Sequence, residues 1–122
     1  MPRSAFALAA VAALMGAAGV ALAAISAHQD GGDLGRLASE FLILHAAALV
    51  GISAHAPRAP RALIFAGGGL ALGTLVFAGD LTMRAFAGHR LFPFAAPSGG
   101  SLMIVSWLAL ALTFAAGMRS RG

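Results

Sequence analysis

A chain of 122 residues with 60% hydrophobic and 10% charged residues has too few charges to cover a water-facing surface, since a soluble domain carries about 25%. Its net charge is +4 and its pI near 11.8, but the eight basic residues are arginines scattered singly at the ends of apolar runs, so they form no nucleic-acid stripe. Cysteine is absent, which excludes disulfides, thiolate metal sites and cysteine nucleophiles. The mean hydropathy of +0.90 points to a membrane.

The first apolar run, Ala5–Ala27, follows Pro2-Arg3 and ends in an Ala-Ile-Ser-Ala stretch resembling a signal-peptide cleavage site. Its length of about 23 residues exceeds the roughly 7–15 of a signal h-region, so a retained first helix is expected. Ala5, Ala9, Ala13, Ala17 and Ala21 recur every fourth residue along it. Small side chains at that spacing make a flat face for another helix, either within the bundle or on a second subunit.

Asp30-Gly31-Gly32-Asp33 breaks the first helix from the second, Leu37–Ala56. Pro57 and Pro60 cannot sit in a helix interior and force a tight turn into the third helix, Ala62–Leu81, making helices two and three antiparallel neighbours. Gly69 and Gly73 in the third helix repeat the small-residue packing device. The longest connection runs from Phe86 to Pro97, and its Phe92, Pro93 and Phe94 suit a membrane interface. The last helix is expected over Ser98–Met118, with Ser98 as its N-cap.

Each run is close to the roughly 20 helical residues that cross a hydrocarbon core of about 30 Å. The expected fold is therefore all-α: an integral membrane four-helix bundle, one transmembrane domain over residues 1–122 with short loops. Four spans place Arg3, Arg58, Arg61, Arg119 and Arg121 on the side of both termini, against Arg36, Arg84 and Arg90 opposite. The positive-inside rule then sets both termini in the cytoplasm of an inner (plasma) membrane.

Ionisable residues inside a bilayer are costly unless paired. His28, Glu40, His45, Asp80 and Arg84 all fall in the non-cytoplasmic half, and Asp80 and Arg84 share a helical face. A polar cluster of these five could hold helices in register, form a small-ligand, proton or cation site, or ligate haem or metal. Haem ligation has His28 and His45 as candidates, but only His45 lies deep in a helix. No zinc pair, G-x-S-x-G serine, calcium loop or phosphate loop occurs. The expectation is no metal, no cofactor and no enzymatic activity.

Gly19–Gln29, Phe41–Leu49 around His45-Ala46, Gly73–Leu81, and Phe92–Gly100 followed by Ser106-Trp107 together resemble the YgdD/YwdK-type membrane proteins, the bacterial domain-of-unknown-function family numbered four-two-three. The resemblance covers nearly the whole chain. It implies a four-helix inner-membrane protein without an assigned activity, with His28, His45, Gly79, Asp80, Pro97, Gly99, Gly100 and Trp107 matching its motifs. Leu42 stands where the family usually has glutamine, and Ser106 where it has glycine. Pro97, Gly99 and Gly100 are expected to shape the start of helix four so that its amides face the polar cluster. A chain with so little mass outside the membrane has as expected partners the lipid bilayer and other membrane helices, with no nucleic acid or soluble substrate. It reads as an accessory or assembly subunit, or alternatively as a small transporter-like or ligand-binding bundle.

Overall fold

A computed structural model describes residues 2–29 and 32–121, the side chains of 120 and 121 excepted. The described residues form four helices: α1, Arg3–Ala27; α2, Asp33–His55; α3, Pro60–Ala87; and α4, Ala95–Arg121. All four are long and apolar enough to cross a bilayer, and the chain is a multi-pass membrane protein. Neighbours in sequence pack as antiparallel pairs, α1 on α2, α2 on α3 and α3 on α4, and α1 also touches α3. Both chain ends therefore lie at the same end of the bundle.

The sequence places the helices correctly but makes all four too short, α1 by only two residues at its start. α2 starts at Asp33, four residues before Leu37, because Asp33 suits a helix N-terminus and forms a 2.7 Å ion pair with Arg36 one turn on. Of the expected break, Asp30 and Gly31 lie outside the described residues. α3 continues past Leu81 to Ala87 and stops at Gly88, whose φ of 77° is the left-handed conformation that ends helices. α4 begins at Ala95 and not at Ser98. Ser98 is its fourth residue and donates its backbone N–H to Phe94 O at 2.9 Å. Pro97 therefore occupies the first turn, where its missing N–H leaves no bond unmade.

Between α2 and α3 the two prolines act as expected. A single 3-10 turn, Ala56–Arg58, precedes Pro60 at the first position of α3.

On α1 the buried residues are Ala5, Leu8, Ala12, Met15, Gly19, Leu22 and Ser26. They alternate three and four apart, the 3.5-residue period that keeps a seam facing a neighbouring helix. The four-residue alanine row drifts away from this seam. At 3.6 residues per turn each step of four turns about 40° too far, so Ala5 is buried and Ala9 half-buried, while Ala13, Ala17 and Ala21 are exposed. The expectation that these three pack inside the bundle is corrected.

Close backbone approach is carried by other small residues. A Cβ at Gly19 would lie 2.7 Å from Ile43 Cγ1 and 3.2 Å from Ile43 N, and one at Gly35 would strike Ser26 Oγ. Gly69 and Gly73 face α4 within the chain. A Cβ at Gly73 would stand 2.8 Å from Gly99 O, and one at Gly69 2.6 Å from Ser106 Oγ. Leu42, Leu49, Leu63 and Leu70 fill the centre. Hydroxyls there turn back on their own helices, Ser53 to Leu49 O at 2.8 Å and Thr74 to Leu70 O at 2.7 Å, so no hydroxyl partner from another helix is needed.

Candidate functional site

The five polar candidates do not form one cluster. His28 ends α1 exposed, and Glu40 points outward from α2, also exposed, with no hydrogen bond or ion pair among the described residues. Glu40 comes seven residues after Asp33, a multiple of the seam period. Asp33 is itself exposed, so Glu40 returns to the same outward face, while the buried positions of α2 are Gly35, Ala38, Ser39, Leu42, His45, Ala46, Leu49, Ile52 and Ser53. The other three divide into two separate sites.

The first is centred on His45, halfway along α2 and 3% exposed. Its Nδ1 lies 2.9 Å from Phe41 O, and Trp107 Nε1 on α4 donates to its Nε2 at 3.1 Å. An indole nitrogen can only donate. Nε2 must therefore accept, which assigns the proton to Nδ1 and makes the ring neutral, with both nitrogens used. The ring stacks on Phe41 with centroids 5.6 Å apart, Phe41 meets Phe77 of α3 at 4.7 Å, and Trp107 tilts onto His45 at 5.7 Å. One aromatic row thus crosses α3, α2 and α4. With both ring nitrogens engaged, the imidazole has no lone pair left to offer a haem or metal ion, and the described residues hold no group of three or more His, Asp or Glu side chains suited to a metal.

Sequence reasoning placed His45 deep in a helix but grouped it with His28, Glu40, Asp80 and Arg84, none of which bonds to it. The partner comes from 62 positions away in the chain. The deciding signal was present in the sequence: a lone tryptophan in an apolar helix needs an acceptor for its N–H. Leu42, three residues before His45, is a core residue 7% exposed, so the histidine relies on Trp107 and Phe41.

The pair gives a first expected result. His45→Gln should keep most of the stability, because an amide retains one donor and one acceptor. His45→Leu should cost about 1–3 kcal/mol by stranding the Trp107 N–H. Thermal unfolding in detergent, followed by Trp107 fluorescence, checks both; equal loss in the two variants would show that ring shape, and not hydrogen bonding, matters.

The second site lies at the end of α3. Asp80 is fully buried. Its Oδ1 accepts the Leu91 backbone N–H at 2.8 Å, and its Oδ2 lies 3.4 Å from Arg84 Nη2 without a hydrogen bond of its own. The amide that reaches this carboxylate is therefore in the loop and not in the first turn of α4, contrary to expectation. Asp80 fastens the Gly88–Phe94 connection down onto α3. That connection is bracketed by Gly88 and by Phe94, which holds a φ of 64°, a conformation seldom adopted by an aromatic residue. Phe92 and Phe94 are exposed on it, as an interfacial loop requires.

The motif glycine Gly99 sits directly across from Gly73. A Cβ on it would lie 2.7 Å from both Gly73 O and Phe77 N. Gly100 makes no comparably tight approach. Phe77 links this contact to the aromatic row, since its backbone N faces Gly99 and its ring meets Phe41.

The family described as "Protein of unknown function (DUF423)" matches residues 15–100, more than two-thirds of the chain. The chain belongs to this DUF423 family. The matched span includes His45, Asp80 and the Gly73–Gly99 contact; Trp107 lies beyond it. No solved structure gives a significant match.

Proposed function

We propose that this DUF423 protein is a non-catalytic accessory or assembly subunit of a larger inner-membrane complex, with both termini cytoplasmic. The observation that carries this reading is the outer face of α1. Ala10, Ala13, Ala17, Ala21 and Ala24 run down the side opposite the buried seam, all exposed. Large aliphatic side chains suit lipid, whereas a row of small ones lets a second helix backbone come close. α4 is the least buried of the four and carries Ile104, Val105, Leu108 and Leu112 outward, which suits lipid contact.

The ligand-binding alternative needs the five polar residues in one place, and they are dispersed. The two buried polar sites tie helices and a loop together, which is a structural task.

Two measurements test the proposal. Ala17→Leu should leave the isolated protein folded, because the position is exposed, yet reduce co-purification of membrane partners from native membranes. Partners retained in full would mean that this face meets lipid. Reporter fusions after Arg3 and after Arg119 should report cytoplasm, and one near Asp33 the opposite side; a C-terminal reporter outside would overturn the orientation.

A further inference from the structure

At the end of the bundle that carries both termini, a cleft of about 460 Å³ lies between the α2–α3 turn and the last turns of α4. His55, Arg58 and Ala59 form one wall, and Thr113, Phe114 and Met118 the other, with Leu63 also lining it. Its size falls in the range of small-ligand sites, about 300–1,000 Å³. The cleft is polar at its rim and apolar below.

The rim is positively charged. The Arg58 side chain has no hydrogen-bond or ion-pair partner among the described residues. Arg3, Arg61 and Arg119 lie at the same end, while the acidic residues among those described, Asp33, Glu40 and Asp80, belong to the other half. The start of α3 brings a partial positive charge and the ends of α2 and α4 partial negative ones, each about half an elementary charge, so the full charge of the guanidinium still sets the local sign. His55 spends Nδ1 on Gly51 O at 2.9 Å and packs edge-on against Phe114 at 5.8 Å. That leaves Nε2 as a further polar atom at the rim.

A cleft between two membrane-spanning helices, lined by Leu63, Phe114 and Met118 and bearing an unpaired guanidinium at the ends of the spans, matches one kind of molecule. We propose that the cleft seats an anionic phospholipid, with its phosphate on Arg58 and an acyl chain along Leu63, Phe114 and Met118. Arginine is well suited to a phosphate oxygen pair, and basic pockets between membrane helices are a recurrent way to hold anionic headgroups. The other cations at this end serve as a comparison, since Arg61 faces away from the cleft, into a smaller depression with Ser4 and Phe65.

The test is native mass spectrometry of the full chain in neutral detergent, titrated with phosphatidylglycerol, with phosphatidylcholine of the same chains, or with glycerol phosphate. One phosphatidylglycerol should be retained, with phosphatidylcholine about tenfold or more weaker, because its choline cation is repelled by the positive rim and offsets the phosphate contact. Arg58→Gln should reduce phosphatidylglycerol retention by a similar factor and Arg61→Gln should not. Gly117→Leu should block retention by filling the cleft, because a Cβ at Gly117 meets nothing within 4 Å and the fold can accept it. Equal retention of the two lipids, equal effects of Arg58→Gln and Arg61→Gln, or full retention in Gly117→Leu would overturn the proposal. Competition by glycerol phosphate at the lipid's own concentration would do the same, by showing a phosphate site without a lipid.

Discussion

Asp80→Leu is expected to destabilise the protein by about 3 kcal/mol, the lower end of what losing one member of a buried ion pair costs. The carboxylate is fully buried and serves two groups, the Leu91 N–H at 2.8 Å and Arg84 at 3.4 Å. Leucine satisfies neither. The cost stays at this lower end because the Arg84 side chain retains 29% exposure and can reach toward headgroups once released. Asp80→Asn should cost about 1–2 kcal/mol, because the amide oxygen still accepts from Leu91 while the charge attraction is lost. Replacing Arg84 by leucine in the Asp80→Leu background should recover part of the loss. Chemical unfolding in detergent measures all three, and limited proteolysis should show cleavage of the 88–94 connection rising in Asp80→Leu first. A leucine variant as stable as the parent would mean that the carboxylate does not hold the loop.

The second large effect is expected at Gly99. In Gly99→Ala the new methyl would lie 2.7 Å from Gly73 O and from Phe77 N, both backbone atoms of α3. Backbone cannot rotate aside as a flexible side chain does, so α3 and α4 must separate, at about 1–3 kcal/mol for the strain alone. Separation would also pull Trp107 away from His45. Gly73→Ala should behave alike, with its methyl 2.8 Å from Gly99 O. The two should be less than additive, since helices already forced apart by one methyl have room for the other. Gly68→Ala is the comparison, because a Cβ there meets nothing within 4 Å and alanine favours a helix over glycine by about 1 kcal/mol. Melting temperatures should fall for Gly99→Ala and Gly73→Ala, and hold or rise for Gly68→Ala. A uniform response would refute the close α3–α4 approach.

Both effects arise where helices meet, which is also where reading the sequence alone gave out. Apolar runs near the thickness of a bilayer fix four helices, because an unpaired backbone in hydrocarbon has no other way to satisfy its polar groups. Pro57 and Pro60 fix the sharp turn between α2 and α3, since a proline ring fixes φ and lacks the N–H. These constraints are local, and a local sequence carries them in full.

Which face of each helix points inward was not local. The alanine row of α1 looked like a packing seam, but a four-residue spacing winds around the helix while the true seam follows a 3.5-residue period. Hydropathy could not correct this, because in a membrane the outside is as apolar as the core. Gly69 and Gly73 were read as packing residues, yet only the fold showed that Gly99 and Ser106 fill the space they leave. The ends of α2, α3 and α4 were underestimated because hydrophobicity stops at the interface and helical hydrogen bonding does not.

The same division holds for the polar residues. The sequence established that His45 and Asp80 must be paired, because a buried ionisable group without a partner costs too much to persist. It could not name the partners. Trp107 lies 62 positions from His45 and Leu91 lies 11 from Asp80, and both are brought into reach only when α4 folds back along α3. Glu40 and His28 lie in the same membrane half but on outward faces, so depth alone grouped residues that helix rotation separates. Length, hydrophobicity and proline fixed the spans and the turn between α2 and α3; rotation and contact between helices, which depend on every neighbour at once, decided the site.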